Sequence, residues 1–588
     1  MNRTVYEFGR FRLDTTEHLL YRQDGEVVPL KPKVVETLEL LVRERGRLLT
    51  KQELMTELWP DTIVEESNLT QNIYQLRKVL GTSNNGRAYI ETIPKRGYRF
   101  TAEVVEENAA SRVLPQQEPV ALTSTVKSIA VLPLTNESAD PTAEYLSDGI
   151  TESIINHLAQ LPQLKVIARS TVFRYKGKTI APQIVGRELG VTAVLTGRVL
   201  QLQDRLIVRA ELVDVVEGWQ LWGEQYDRFS SDILELQQDI AQDVSGKLQL
   251  KLTGAEEKRL TKRPTESTEA YHLYIRARYY LNKRLTEAIE KAVGYFQNAI
   301  DIDPTYALAY VGLADCYPLL TLYGALLPRD AYTKAEAAAR KALEIDHSIA
   351  EAHNALGVIE LFYKWDWEAA EKLFQHAIEL NPSYAEAHQR YGMLLVVRGR
   401  FEEAAAEFDQ ALELDPLSLI TKTFSAYPGY YGRNYGEAVK RYREVIDMDH
   451  GYSMAHFRLG LTYAQLGRFA DALEELQCSA RLSGDRDVVA ALGYVHGRAG
   501  NRASAEAALR ELDAREESGF VSAYDRALVY AGIGDVERAL DWLEKAHAER
   551  SYWLIYMRFD PALDPLRSNK RFENLLRLVN SGEGKGFG

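Results

Sequence analysis

The sequence predicts a multidomain chain: an α+β N-terminal domain, then a small α/β domain, then an all-α repeat solenoid. Three observations predict it. Short β-like runs alternate with helical patterns within residues 1–105. A β/α rhythm fills residues 127–252, behind a polar stretch at 106–126 whose Pro115 and Pro119 mark an exposed linker. Residues 267–580 are almost wholly helical in pattern, and their landmarks recur about every 34 residues.

Composition narrows the function. The 588 residues are too many for one domain. Apolar residues at 46% and charged residues at 26% describe a chain that folds. Only Cys316 and Cys478 occur, which excludes a disulfide framework and fits a reducing compartment; both read as small apolar fillers in repeat helices. The N-terminus has no apolar signal core, and no run is long and apolar enough for a membrane span, so a cytoplasmic location is expected. The net charge of −13 opposes nucleic-acid binding by the chain as a whole, so any such site needs a local basic patch.

The first block supplies one. YEFGRFRLDTTEHLLYRQDGEVVPL holds three β-like runs. PKVVETLELLVRERG reads as a helix, with Pro32 in its first turn and Gly46 at its end. Thr50 and Glu53 fit a capping box for the helix KQELMTELW. In SNLTQNIYQLRKVLG, Leu69, Ile73, Leu76 and Leu80 form one apolar stripe. Ser67, Gln71, Tyr74, Gln75 and Lys78 point away from it, with Asn72 and Arg77 on its flanks. AYIETIPKRGYRFTAEV then reads as two strands joined at Pro94–Gly97, with Tyr98 in the hairpin core and Lys95, Arg96 and Arg99 adding charge. From Ser67 to Ala102 six Lys/Arg face one acid, Glu91, whereas acids outnumber bases in residues 3–66. Amides on an exposed helix face can pair with adenine edges, and Lys can reach guanine or phosphate.

This order, with IYQLRKVLG followed by YIETIPKRGYRF, resembles the OmpR/PhoB-type winged helix-turn-helix domain. The resemblance implies that Ser67–Leu80 enters the major groove and that Arg96 on the wing approaches the minor groove. Asn68, Thr70, Gln71 and Asn72 stand where several family members carry His or Arg, so specificity is expected to lean on amides. No receiver domain precedes the block, so the chain resembles one-component regulators of the ToxR/CadC type without their membrane segment.

The middle block begins with the strand SIAVLPL, the helix EYLSDGITESIINHLAQL and the strand KVIAR. AVLTGRVLQL, RLIVRAELVD and WQLWGEQYD follow as adjacent strands, and a helix from about Asp232 to Lys251 closes it. It resembles TolB-like N-terminal modules, which imply a small α/β domain and no secure ligand. Asp148 and Glu152 share a helix face; a solvated helix start explains them better than acid–base chemistry. Phe173, Arg174, Tyr175 and Lys176 read as a loop packed on the sheet. No phosphate-binding glycine loop, nucleophile elbow or zinc-spaced histidine pair occurs, so neither an enzyme nor a cofactor is expected, and GEGKGFG reads as a frayed tail.

In the last block an alanine follows each short turn: Ala369, Ala404, Ala438, Ala472, Ala505 and Ala539, spaced 35, 34, 34, 33 and 34. Pro382 and Pro416 are 34 apart, and Gly392 and Gly460 twice that. The block resembles tetratricopeptide repeats, with departures around LLTLYGALLPRD and at Pro428. His353, His388 and His456 share one repeat position, which accounts for them without metal. With Asn354, Arg390, Tyr391 and Arg458 they are expected on the concave face, where the arginines suit an extended acidic or amide-rich segment.

The expected function is a bacterial-type transcription regulator. Double-stranded DNA binds the N-terminal domain, possible homodimerisation on DNA is left open, a protein or peptide binds the repeats, and the middle module couples or senses. The alternative is an interaction scaffold with weak or lost DNA binding.

Overall fold

The computed structural model describes residues 4–15, 19–22, 27–28, 30, 32–58, 66–81, 88–93, 96–102, 104–108, 128–138, 143–248, 250, 253–254, 262–483, 486–517 and 520–581. They fall into two compact units, Met1–Thr123 and Ser124–Gly588.

The first unit starts with strands β1 (Thr4–Phe8), β2 (Phe11–Asp14), β3 (Leu19–Arg22) and β4 (Val27–Val28). Helix α1 (Pro32–Arg43), strand β5 (Leu48–Thr50), helices α2 (Lys51–Leu58) and α3 (Glu66–Leu80), and strands β6 (Ile90–Ile93) and β7 (Gly97–Phe100) follow. The chain then returns as β8 (Val105–Asn108) to pair antiparallel with β1. This fifth strand of the first sheet, ordered β4-β3-β2-β1-β8, runs into the stretch read as linker. Its acids hid it, since VEEN lacks an apolar alternation. Residues 109–126 of that stretch lie outside the described ones.

One core unites the helices and both sheets. Leu69, Ile73, Leu76 and Leu80 are all buried, as their spacing requires. They share a cluster with Leu38, Leu54 and the rings of Phe8 and Phe100, whose centroids are 5.1 Å apart. The capping box at α2 is formed: the Glu53 N–H donates to Thr50 Oγ1 at 3.1 Å, and the Thr50 N–H donates to Glu53 Oε2 at 2.7 Å. The wing sheet, β5-β7-β6, needs glycine at 97, because a Cβ there would lie 1.9 Å from the Leu49 carbonyl oxygen.

The second unit opens with β9 (Ser128–Val131), β10 (Thr135–Asn136), α4 (Glu144–Ala159), β11 (Lys165–Val166), α5 (Arg169–Val172) and α6 (Pro182–Glu188). Three long strands follow, β12 (Ala193–Leu202), β13 (Arg205–Asp214) and β14 (Gln220–Phe229), and α7 (Ile233–Lys247) closes the module. The order is β11-β9-β12-β13-β14: parallel where helices connect the strands, antiparallel across the two hairpins.

Eight helix pairs follow among the described residues, from Thr268–Leu281 with Thr286–Ile302 to Ala523–Ile533 with Val536–Ala548. The repeat marks hold with one shift. Ala404, Ala438, Ala472, Ala505 and Ala539 are buried, but in the first marked unit the buried residue is Ala370 and Ala369 is half-exposed. That spacing is therefore 34, and the slip sits after a π-turn at Glu360–Lys364 that adds a residue. Small residues serve close helix approach: a Cβ on Gly392 would lie 3.1 Å from the Phe408 ring, and one on Gly460 2.7 Å from Leu476. Pro428 splits one first helix into Leu419–Phe424 and Tyr427–Tyr431.

Candidate functional site

In the N-terminal unit the outer face of α3 and the β6–β7 hairpin supply the candidate surface. Tyr74 is 65% exposed, Lys78 and Arg96 are exposed, and Gln75 is partly so. The Arg96 N–H donates to the Ile93 carbonyl at 3.0 Å, which fixes the wing turn. Ser67, Asn68 and Gln71 occupy α3, but their side chains lie outside the described ones, as does Lys95 entirely.

Of the expected contacts, Asn72 serves the fold instead, and Arg77, though exposed, is also tied to it. Asn72 is buried and donates from Nδ2 to the Lys33 carbonyl at 3.2 Å and to Thr37 Oγ1 at 3.0 Å. It ties α3 to α1 and does not face solvent, because the amide fills a polar gap beside the apolar stripe. Arg77 donates to the Ile90 carbonyl at 3.2 and 2.9 Å and to Thr92 Oγ1 at 2.5 Å. Its fork fastens α3 to β6. Arg99 faces Glu91 across the wing at 3.8 Å, which partly offsets its charge. Tyr98 is buried wing core. Among the described residues of α3 and the hairpin, Lys78 and Arg96 are exposed cations whose side chains hold no hydrogen bond or ion pair to the fold, and Arg77 is exposed but tied to β6.

In the second unit the α/β module packs on the repeats through buried charge. Glu152 accepts from Arg278 Nη2 at 2.7 Å and pairs with Arg169 Nε at 2.8 Å. Burial pushes its carboxyl up, but Arg278 and Arg169 outweigh this and hold it below the usual range. Asp148 pairs with Lys176 at 2.5 Å, and burial outweighs the lysine and raises its carboxyl. The expectation of a solvated helix start is thus corrected: Glu152 meets the repeats through Arg278, and Asp148 is buried against Lys176 of its own module. On the far side Thr171 donates to Asp415 Oδ1 at 2.6 Å, Ser170 donates to Asp415 Oδ2, and Arg174 donates to the Leu417 carbonyl at 3.3 Å. The FRYK segment therefore binds the repeats as well as its own module.

Between module and repeats lies a cavity of about 1870 Å³. Asp315, Glu351 and Glu386 line it from the first helices of three successive repeats, and Asn354, Arg390 and Arg458 line it too. Burial, with Glu386 adding to it, raises the Asp315 carboxyl to about 7 despite Arg278 and Arg284. Arg390 Nη2 pairs with Glu386 at 3.1 Å. The histidines do not line this space. His388 Nδ1 lies 2.7 Å from Glu407 Oε2, and His456 Nδ1 2.6 Å from Glu475 Oε2, each joining the two helices of its repeat. His353 packs edge-on against His376, its Nε2 3.0 Å from the His347 carbonyl. The repeat register that places these histidines turns them toward their own second helix. Arg169 and Arg278 were not anticipated. The local signal for this region was Glu351 and Glu386, 35 residues apart at one repeat position.

These features define a chain with a transcription-regulator DNA-binding domain and a tetratricopeptide solenoid. The family described as transcriptional regulatory protein, C terminal, matches residues 25–100, and tetratricopeptide repeats match residues 359–418 and 430–484. Among curated proteins the chain is 25% identical over 440 residues to the transcriptional regulator HilA of Salmonella paratyphi A, spanning 74% of this chain and 75% of that one. It is 28% identical over 124 residues to the transcriptional activator CadC of Escherichia coli (20% of this chain, 24% of CadC). A Rhizobium meliloti protein named as an adenylate cyclase is 36% identical over 233 residues, spanning 39% of this chain and 40% of that relative. Among the described residues no helix is long and apolar enough to cross a membrane.

Proposed function

We propose that the chain is a sequence-specific DNA-binding transcription regulator whose second unit receives the signal. Helix α3 lies in the major groove, with Tyr74 and Gln75, beside Ser67, Asn68 and Gln71, addressing base edges. Lys78 and Arg96 contact phosphate or the adjacent groove. The repeats take a protein or peptide partner, and the TolB-like module couples its binding to DNA affinity. The chain works where DNA is, in the cytoplasm of a bacterial-type cell, and the mechanism makes and breaks no covalent bond.

One observation carries this reading: an exposed Tyr74, Lys78 and Arg96 on a domain whose family and relatives regulate transcription. Selection of bound duplexes from a random pool by the full chain tests it. The reading expects enrichment of one motif, and Gln71→Ala relaxes it at one position more than it weakens nonspecific binding. Uniform recovery of all sequences favours the scaffold alternative.

A further inference from the structure

Arg458 is 95% buried by the complement of its 5% exposure, lines the cavity, and has no hydrogen-bond partner at Nε or Nη2. Among the described residues no carboxylate lies within 4.0 Å of it. Its guanidinium rests on aromatic faces, 4.7 Å from the Tyr427 centroid and 4.5 Å from that of Trp553. Cation–π contact offsets part of the desolvation cost but satisfies no N–H. Two further donors in the cavity wall also lack acceptors: Arg390 Nε, on the same repeat position two units earlier, and Gln389 Nε2. Buried donors without acceptors in the wall of one cavity are the complement of an anion.

The surroundings set the size and body of that anion. Tyr552 stacks on Phe362 with centroids 4.5 Å apart, so the C-terminal turn reaches across the concave face. It lies within electrostatic reach of both Arg390 and Arg458. The volume exceeds that of ordinary small-molecule pockets, and Phe362, Tyr427 and Trp553 offer it apolar walls.

We propose that this cavity binds a small organic anion, its acidic head on the Arg458 guanidinium with Arg390 assisting and its apolar body against the aromatic walls. It adds a second ligand class to the protein or peptide partner proposed for the repeats. It does not rest on DNA binding, and its test contains no DNA.

The test is calorimetric titration of the full chain with phenylacetate, hexanoate, phenyl phosphate and the neutral phenylethanol. The acids bind saturably and the alcohol does not; the phosphate ester distinguishes a phosphate head from a carboxylate. Arg458→Met weakens the acids by about ten- to a hundredfold, as loss of a charge-assisted pair would. Without ligand it melts at the wild-type temperature or above, because a buried unpaired charge has gone. Arg458→Lys and Arg390→Gln, which keep polar character, weaken the acids less and serve if the Met variant does not fold. Equal binding of acid and alcohol, undiminished acid binding by the folded variants, or no binding of any acid at millimolar concentration overturns the proposal.

Discussion

The Glu152 carboxylate and the Arg278 guanidinium pair at 2.7 Å, joining helix α4 of the α/β module to the first repeat helix. Arg169 completes the group from the same module. Two guanidinium groups around one buried carboxylate make a joint that tolerates loss of the acid poorly. Glu152→Gln is expected to cost about 3–5 kcal/mol, because it leaves buried Arg169 without a counter-charge and Arg278 with only Asp315, at 3.6 Å. Urea unfolding of the full chain, followed by far-UV circular dichroism, measures this; an unchanged midpoint would show that the joint contributes nothing.

Asn72 gives a second test, since its amide is spent on Lys33 and Thr37. Asn72→Ala should destabilise the N-terminal unit by about 1–3 kcal/mol, the cost of an unsatisfied buried partner. The motif selected from random DNA should not change. A shift in base preference at constant stability would return Asn72 to the DNA face.

Stability should also depend on pH through Asp315. Its folded-state carboxyl sits at about 7, above the ordinary 3.8, because of burial first and Glu386 second. The folded chain therefore holds a proton that the unfolded chain releases. The resulting stability is complete below 3.8 and is lost as pH rises through about 7. Glu152, held low, acts in the opposite sense at the acid end. Asp315→Asn is expected to flatten the fall in melting temperature from weakly acidic to neutral pH and to raise it at neutral pH. An identical slope in wild type and variant would place the titration elsewhere.

Periodicity made much of this architecture legible. The stripe Leu69–Ile73–Leu76–Leu80 and the alanine register both mark faces that must be buried, and burial repeats with the helix. What stayed illegible depends on which neighbour a polar group meets. Asn72 and Gln75 look alike in sequence, yet only Asn72 lies opposite the Lys33 carbonyl. His388 and His456 were placed by register, but the partner that turns them, a glutamate 19 residues on, belongs to the hairpin and not to the groove. Strand β8 escaped because pairing with β1 outweighs its acidic composition. Arg278 with Glu152, and Thr171 with Asp415, join residues more than a hundred positions apart, and no local pattern announces them.

The measurement that tests the central claim most directly is the salt dependence of duplex binding by wild type and by the Lys78→Ala/Arg96→Ala double variant. Both cations point outward while Arg77 is committed to the wing. The account predicts weaker binding by the variant and a log–log salt slope smaller by about two, one for each lost phosphate contact. Full-strength binding with an unchanged slope would contradict it.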